Sequence, residues 1–179
     1  MPSNKDRLYV ALYARGGAPT MPGKEDTYHW ALLVGPKNEV EGGQGTRYHA
    51  KERLGADGQM QWIFEELPVS LQATNMLLVR VRIGKVEKLD RLVDIIRTVP
   101  IRQGEQGWNC VSWVKESLES IRGDGKALGT SVTEWRKVRD EAMAYCQKKR
   151  DEHRFDGEGD YDMTKAATYD LLEKRETIP

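Results

Sequence analysis

Gly84 divides the chain into two kinds of pattern. Ahead of it, in "NMLLVRVRIG" (75–84), Leu77, Val79, Val81 and Ile83 alternate with Leu78, Arg80 and Arg82. That is the period of a strand with two unlike faces. Beyond it, in "KVEKLDRLVDIIRTV", Val86, Leu89, Leu92, Val93 and Ile96 recur at helical spacing until Pro100 closes the run. Earlier segments also read as strands between glycine- and proline-marked turns: 7–14, 27–35, 46–52 and 61–67. Later ones read as helices. Val111, Val114, Leu118 and Ile121 form one apolar stripe. Trp135, Val138, Ala142, Tyr145 and Cys146 form another, on a helix whose N-cap is expected at Ser131 or Thr133. The predicted fold is therefore α+β, an antiparallel β-sheet followed by packed helices. From His153 the chain is polar, with "MTKAATYDLLEKRE" either a last helix or a mobile end.

A chain of 179 residues suits one domain. Its 28 basic side chains match its 28 acidic ones, so it lacks the basic excess of a nucleic-acid binder. Neither a signal-peptide core nor an apolar run of membrane-spanning length is visible. The two cysteines, Cys110 and Cys146, form no disulfide framework and match no zinc spacing. Together these features point to a cytoplasmic or nuclear protein, without nucleic acid, integral membrane segment or metal.

Chemistry concentrates in "GEQGWNCVSWV" (104–114). Asn109 is a favoured N-cap residue, which makes Cys110 the first residue of a helix. Unpaired N–H groups and the positive end of the helix dipole favour a thiolate there, and the same groups suit an oxyanion. Gln103 and Gln106 are candidate additional oxyanion donors, and Trp108 is a candidate substrate contact. The alternative is that Cys110 is a small buried hydrophobe, as Cys146 is expected to be on the apolar side of its helix.

A nucleophilic thiol needs a base, and the base an orienting group. His153 lies in the charged run "KKRDEHR", but His29 and His49 lie within two adjacent predicted strands. In an antiparallel pair these two share a face when the paired residue numbers sum to an even constant. "HWALLVG" at 29–35, a second strand histidine at 49 and "NC" at 109–110 together resemble the lecithin:retinol acyltransferase-like branch of the permuted papain-like, NlpC-related superfamily. The resemblance, which covers about residues 7–121, implies a circularly permuted papain-like arrangement for a domain of residues 1–152. It implies His29 as base, His49 as its orienting partner and Cys110 as nucleophile. It also implies a hydrolase or acyltransferase working through a thioester, with an acyl, peptide or small-molecule substrate and no cofactor. PPPDE-type isopeptidases share this order of histidines and cysteine. The branch's "NCEHF" reads "NCVSWV" here, and its C-terminal membrane anchor is not seen, which turns the expectation toward amide, peptide or isopeptide substrates. Ester or lipid acyl transfer is one alternative. A catalytically inactive binding module is the other.

The remaining motifs point elsewhere. "EGGQG" (41–45) precedes no helix and reads as a hairpin connection rather than a phosphate loop. Glu65–Glu66 and Asp160–Asp162 read as solvated charge.

Overall fold

The structure is a computed structural model that describes residues 4–72, 74 and 76–179. Five strands come first: β1 (Arg7–Ala14), β2 (Tyr28–Gly35), β3 (Gln44–Leu54), β4 (Met60–Ser70) and β5 (Leu77–Val86). Helices α1 (Leu89–Thr98) and α2 (Cys110–Asp124), strand β6 (Leu128–Ser131) and helix α3 (Trp135–Asp151) follow, and β7 (Ala167–Asp170) and β8 (Arg175–Ile178) close the chain. The fold of the described residues is α+β, with three helices on a mixed eight-stranded sheet. Its order is β4-β3-β2-β1-β5-β7-β8, with β6 also pairing β5.

Two sequence expectations fail here. The sheet is not wholly antiparallel, because β7 runs parallel to β5. The polar end is not a helix or a tail either: it supplies β7 and β8. Thr168 sits under the buried Arg80, whose Nε donates to its Oγ1 at 2.8 Å, and Asp170 pairs with Arg82 at 3.1 Å. Ala166, Ala167, Thr168 and Asp170 are all buried, and four residues of tertiary burial outweigh a weak helical pattern.

The sheet has one face under the helices. Leu8, Val10 and Leu12 of β1, Trp30, Leu32 and Val34 of β2, and Val79, Val81 and Ile83 of β5 join the buried stripe of α2 in the main core. Tyr9, Ala11, Tyr13, Ala31 and Leu33 form a smaller cluster on the opposite face. Leu77 belongs to that second cluster, although its alternation places it with Val79. An irregularity between Leu12 and Tyr13 in the β1–β5 register shifts the pairing by one and turns Leu77 over. Arg80 is buried, with Glu39 at 2.5 Å and the Tyr9 ring at 4.8 Å.

Helix α2 has strong signals at both ends. The Asn109 side chain accepts from the N–H groups of Val111 (2.9 Å) and Ser112 (3.2 Å), and Ser112 Oγ accepts from the Asn109 N–H, a complete capping box. At the other end Gly125 takes φ 67°, where a side chain would be strained, and its N–H returns to the Ile121 carbonyl. Helix α3 is capped by neither Ser131 nor Thr133. Ser131 ends β6, and the carboxylate of Glu134 accepts from Arg136 and Lys137 N–H instead.

Candidate active site

Strands β2 and β3 pair only between Leu32–Val34 and Thr46–Tyr48, with residue numbers summing to 80. The sum is even, so His29 and His49 share a face, and their rings meet: His29 Nε2 lies 2.6 Å from His49 Nδ1. Strand β4 adds a third member. In the β3–β4 hairpin His49 stands opposite Glu65, and His49 Nε2 lies 2.8 Å from Glu65 Oε1. Glu65 is thus not solvated charge but the end of a His29–His49–Glu65 row. Lys51 Nζ is 2.5 Å from its other oxygen and Arg47 lies 3.7 Å away. Glu66, one residue on, faces the other way and forms a two-point ion pair with Arg97.

Electrostatics differ along the row. Burial works to raise the Glu65 pKa, but hydrogen bonds from Lys51 and His49 outweigh it and hold the carboxyl at about 2. Burial lowers His29 to about 3, with help from the neighbouring His49, Arg47 and Arg15. Burial also lowers His49, against the opposing pull of Glu65. Both imidazoles are therefore neutral near pH 7, and Glu65 is ionised.

Cys110 is where the helix start was expected, but its thiol is not the expected thiolate. It is 1% exposed, and burial pushes its pKa up despite the Trp30, Val111 and Cys110 N–H groups and the Arg15 charge, all of which favour ionisation. Desolvation here outweighs the pull of the helix terminus. Trp30 supplies the surprising contact. Its N–H belongs to the part of β2 below the last pair with β3, where the ladder is open, and it favours the sulfur instead. Cys110 packs in the core on the helix face of the sheet, whereas His29 occupies the alternate position of β2, beside Tyr13 on the other face. Among the described residues no hydrogen bond joins the thiol to either imidazole. They are linked instead through consecutive residues: His29 carries the ring, and Trp30 carries the amide at the sulfur.

The supporting candidates separate. Gln103 is bound to β4, its Oε1 accepting from Trp62 N–H at 3.0 Å and its amide donating to the Trp62 carbonyl. Trp108 is buried, donates to Glu116 at 2.8 Å, packs edge-on to Trp62 and contributes to the wall of the groove beside the first turn of α2. Asn109 is committed to capping, with its amide 3.4 Å from Met21 Sδ. Gln106 is exposed, in a groove of about 470 Å³ that passes the first turn of α2 with Met21, Val111 and Ser112 along it. Cys110 itself does not line that groove. The segment carrying Met21 covers this end of α2. Asp26 ties it down by accepting from Thr20 N–H, Thr20 Oγ1 and Met21 N–H at 2.8–3.1 Å. Cys146 is buried against Tyr28, as expected of a packed residue, with a pKa raised to about 11 by burial.

A model of a family of unknown function, DUF6914, matches residues 5–178. The chain belongs to DUF6914. The match runs through β8, so the DUF6914 unit includes the C-terminal strands as well as the histidine row and Cys110. No curated protein and no solved structure matches this DUF6914 member. Among its described residues no helix is long and apolar enough to cross a membrane.

Proposed function

We propose that this DUF6914 protein is a cysteine-dependent hydrolase or acyltransferase of permuted papain-like arrangement, acting on amide, peptide or isopeptide bonds through a thioester on Cys110. The observation that carries it is the His29 Nε2–His49 Nδ1 contact, which leaves His29 Nδ1 as the open nitrogen of a residue adjacent to the Trp30 amide at the sulfur. Chain order supports the permuted arrangement, with the histidine strands ahead of the cysteine helix.

In this reading His29 Nδ1 takes the thiol proton as Sγ attacks the carbonyl carbon. It gives that proton to the leaving nitrogen as the C–N bond breaks, leaving a thioester. Water then attacks with His29 as base, and Sγ departs with the proton; an amine or alcohol in place of water makes a transferase. The Cys110 and Trp30 N–H groups receive the oxyanion. Because thiol and imidazole rest neutral, the proton moves during the reaction, not before it. Substrate entry requires the Met21 segment to lift and β2 to bring His29 toward the sulfur.

The deep burial of Cys110 and its distance from hydrogen-bonding contact with His29 favour a second reading, a binding module without catalysis. Incubation with p-nitrophenyl acetate and peptide mass spectrometry separates the two. The enzyme reading expects an acetyl group on Cys110, absent from Cys110→Ser and slowed by roughly 10²–10⁴ in His29→Gln. Acetylation of Cys110 at the same rate with and without His29, or none at all, leaves only the binding module.

A further inference from the structure

The row from His29 to Glu65 has a direction. A carboxylate only accepts hydrogen bonds, so the proton between Glu65 and His49 belongs to His49 Nε2. A neutral imidazole carries one proton, which makes His49 Nδ1 an acceptor. The hydrogen bond at 2.6 Å must then be donated by His29 Nε2, and His29 Nδ1 is left with its lone pair free. Without the carboxylate the same two rings could hydrogen-bond in the opposite sense, with Nδ1–H at His29 and nothing to accept a proton.

From this chain of contacts we infer that Glu65 is a positioning residue: held as a carboxylate by Lys51 and Arg47, it selects the imidazole tautomers that present a basic nitrogen at His29. The cations are part of the device. Lys51 Nζ meets Oε2 at 2.5 Å while His49 meets Oε1 at 2.8 Å, so the two oxygens have different partners. Arg47 stands 3.7 Å from Oε1, with its guanidinium 5.3 Å from the Tyr13 ring. All four residues sit on one hairpin, in facing or same-face positions: His49 opposite Glu65, Lys51 and Arg47 two residues to either side of His49.

Glu65→Gln should have an unusual effect. An amide has one oxygen and one NH₂. Turning the NH₂ toward the Lys51 ammonium sets donor against donor, so the oxygen faces Lys51 and the NH₂ faces His49. His49 Nε2 must then accept, and the tautomers of both rings reverse. Glu65→Asp retains a carboxylate and the original sense.

This extends the proposed thiol chemistry, but nitrogen-15 NMR of the imidazoles tests it without relying on reactivity. In the native protein and in Cys110→Ser, His29 and His49 should both be protonated at Nε2 and pyridine-like at Nδ1. Glu65→Gln should reverse both rings, and Glu65→Asp should restore them, in spectra that otherwise show the native dispersion. Acetylation of Cys110 should fall in Glu65→Gln by on the order of 10⁴, the cost of a wrong tautomer behind a catalytic imidazole. A native His29 protonated at Nδ1 overturns the inference, as does an Nε2 proton retained at both rings in Glu65→Gln. Native-sense tautomers in a protein whose Cys110 never acetylates would leave the positioning role standing and remove the enzyme reading.

Discussion

His29 is a half-buried imidazole without a charge, and that has a cost in acid. Its pKa of about 3 in the folded protein compares with about 6.5 in an unfolded chain. Between these values the unfolded state binds a proton that the folded state refuses, so stability is full above about pH 6.5 and falls as the pH drops toward 3. Each such imidazole contributes at most about 1.4 kcal/mol per pH unit. His49, also lowered, acts with the same sign. Glu65 adds its own loss lower down, as the pH falls from its unfolded value of roughly 4.3 toward 2. Urea midpoints measured from pH 7 to 4 should therefore decline from near 6.5, and decline less steeply in His29→Gln. A midpoint flat between pH 7 and 5 would contradict neutral histidines in the folded protein.

At the scale of elements, the site is made by one hairpin, one helix start and one covering segment. The covering segment is held chiefly by Asp26, a residue 5% exposed whose carboxylate takes three hydrogen bonds from Thr20 and Met21. Asp26→Ala removes all three and should raise the population in which Met21 leaves the first turn of α2; a change of about 1.4 kcal/mol is tenfold in that population. Iodoacetamide should then modify Cys110 roughly tenfold faster while Cys146 stays as slow as before. Equal acceleration at both cysteines would indicate general loosening, not a covering segment. The elements themselves were largely legible. The strands β1 to β5, the α2 stripe and the Asn109 cap follow from local periodicity and capping chemistry, which need no tertiary information. The role of Glu65 was also within reach: reflecting the hairpin about Asp57 at the centre of its loop gives a sum of 114 and sets His49 opposite Glu65. The same register logic that pairs the two histidines thus extends one strand further, to the carboxylate. The burial of the thiol and the separation of Cys110 and His29 onto different faces were not legible, because both depend on how the β2–β3 ladder opens around Trp30. Strand β6 and the two C-terminal strands, each four residues long, carry too little periodicity to be distinguished from polar loop.

Those short strands matter for the whole molecule, because β7 closes the sheet beside β5 and brings a buried charge with it. Asp170 is fully buried and pairs with Arg82, while its Oδ1 accepts from the N–H groups of Leu172 and Glu173 at the turn into β8. Arg7 is also buried, and its guanidinium feels Arg82 as a repulsion and Asp170 as an attraction. Removing the carboxylate leaves the repulsion between Arg7 and Arg82 without its counter-charge. Tyr145 and Lys149 of α3 lock β8 from the other side through Glu176, at 2.8 and 2.7 Å. The end of the chain is thus joined to both the first and the longest-range parts of the fold. Asp170→Ala should destabilise the protein by about 3–5 kcal/mol, the range for stripping a buried charge of its partner. Asp170→Asn, which keeps an acceptor for the turn but loses the charge, should fall between it and the native protein. Glu173→Ala, at an exposed position three residues on, should lie within about 0.5 kcal/mol of native. If the segment after His153 were dispensable, the Asp170 and Glu173 variants would unfold at the same urea concentration. Separate midpoints, lowest for Asp170→Ala, higher for Asp170→Asn and nearest to native for Glu173→Ala, place the C-terminus inside the cooperative unit that holds the histidine row.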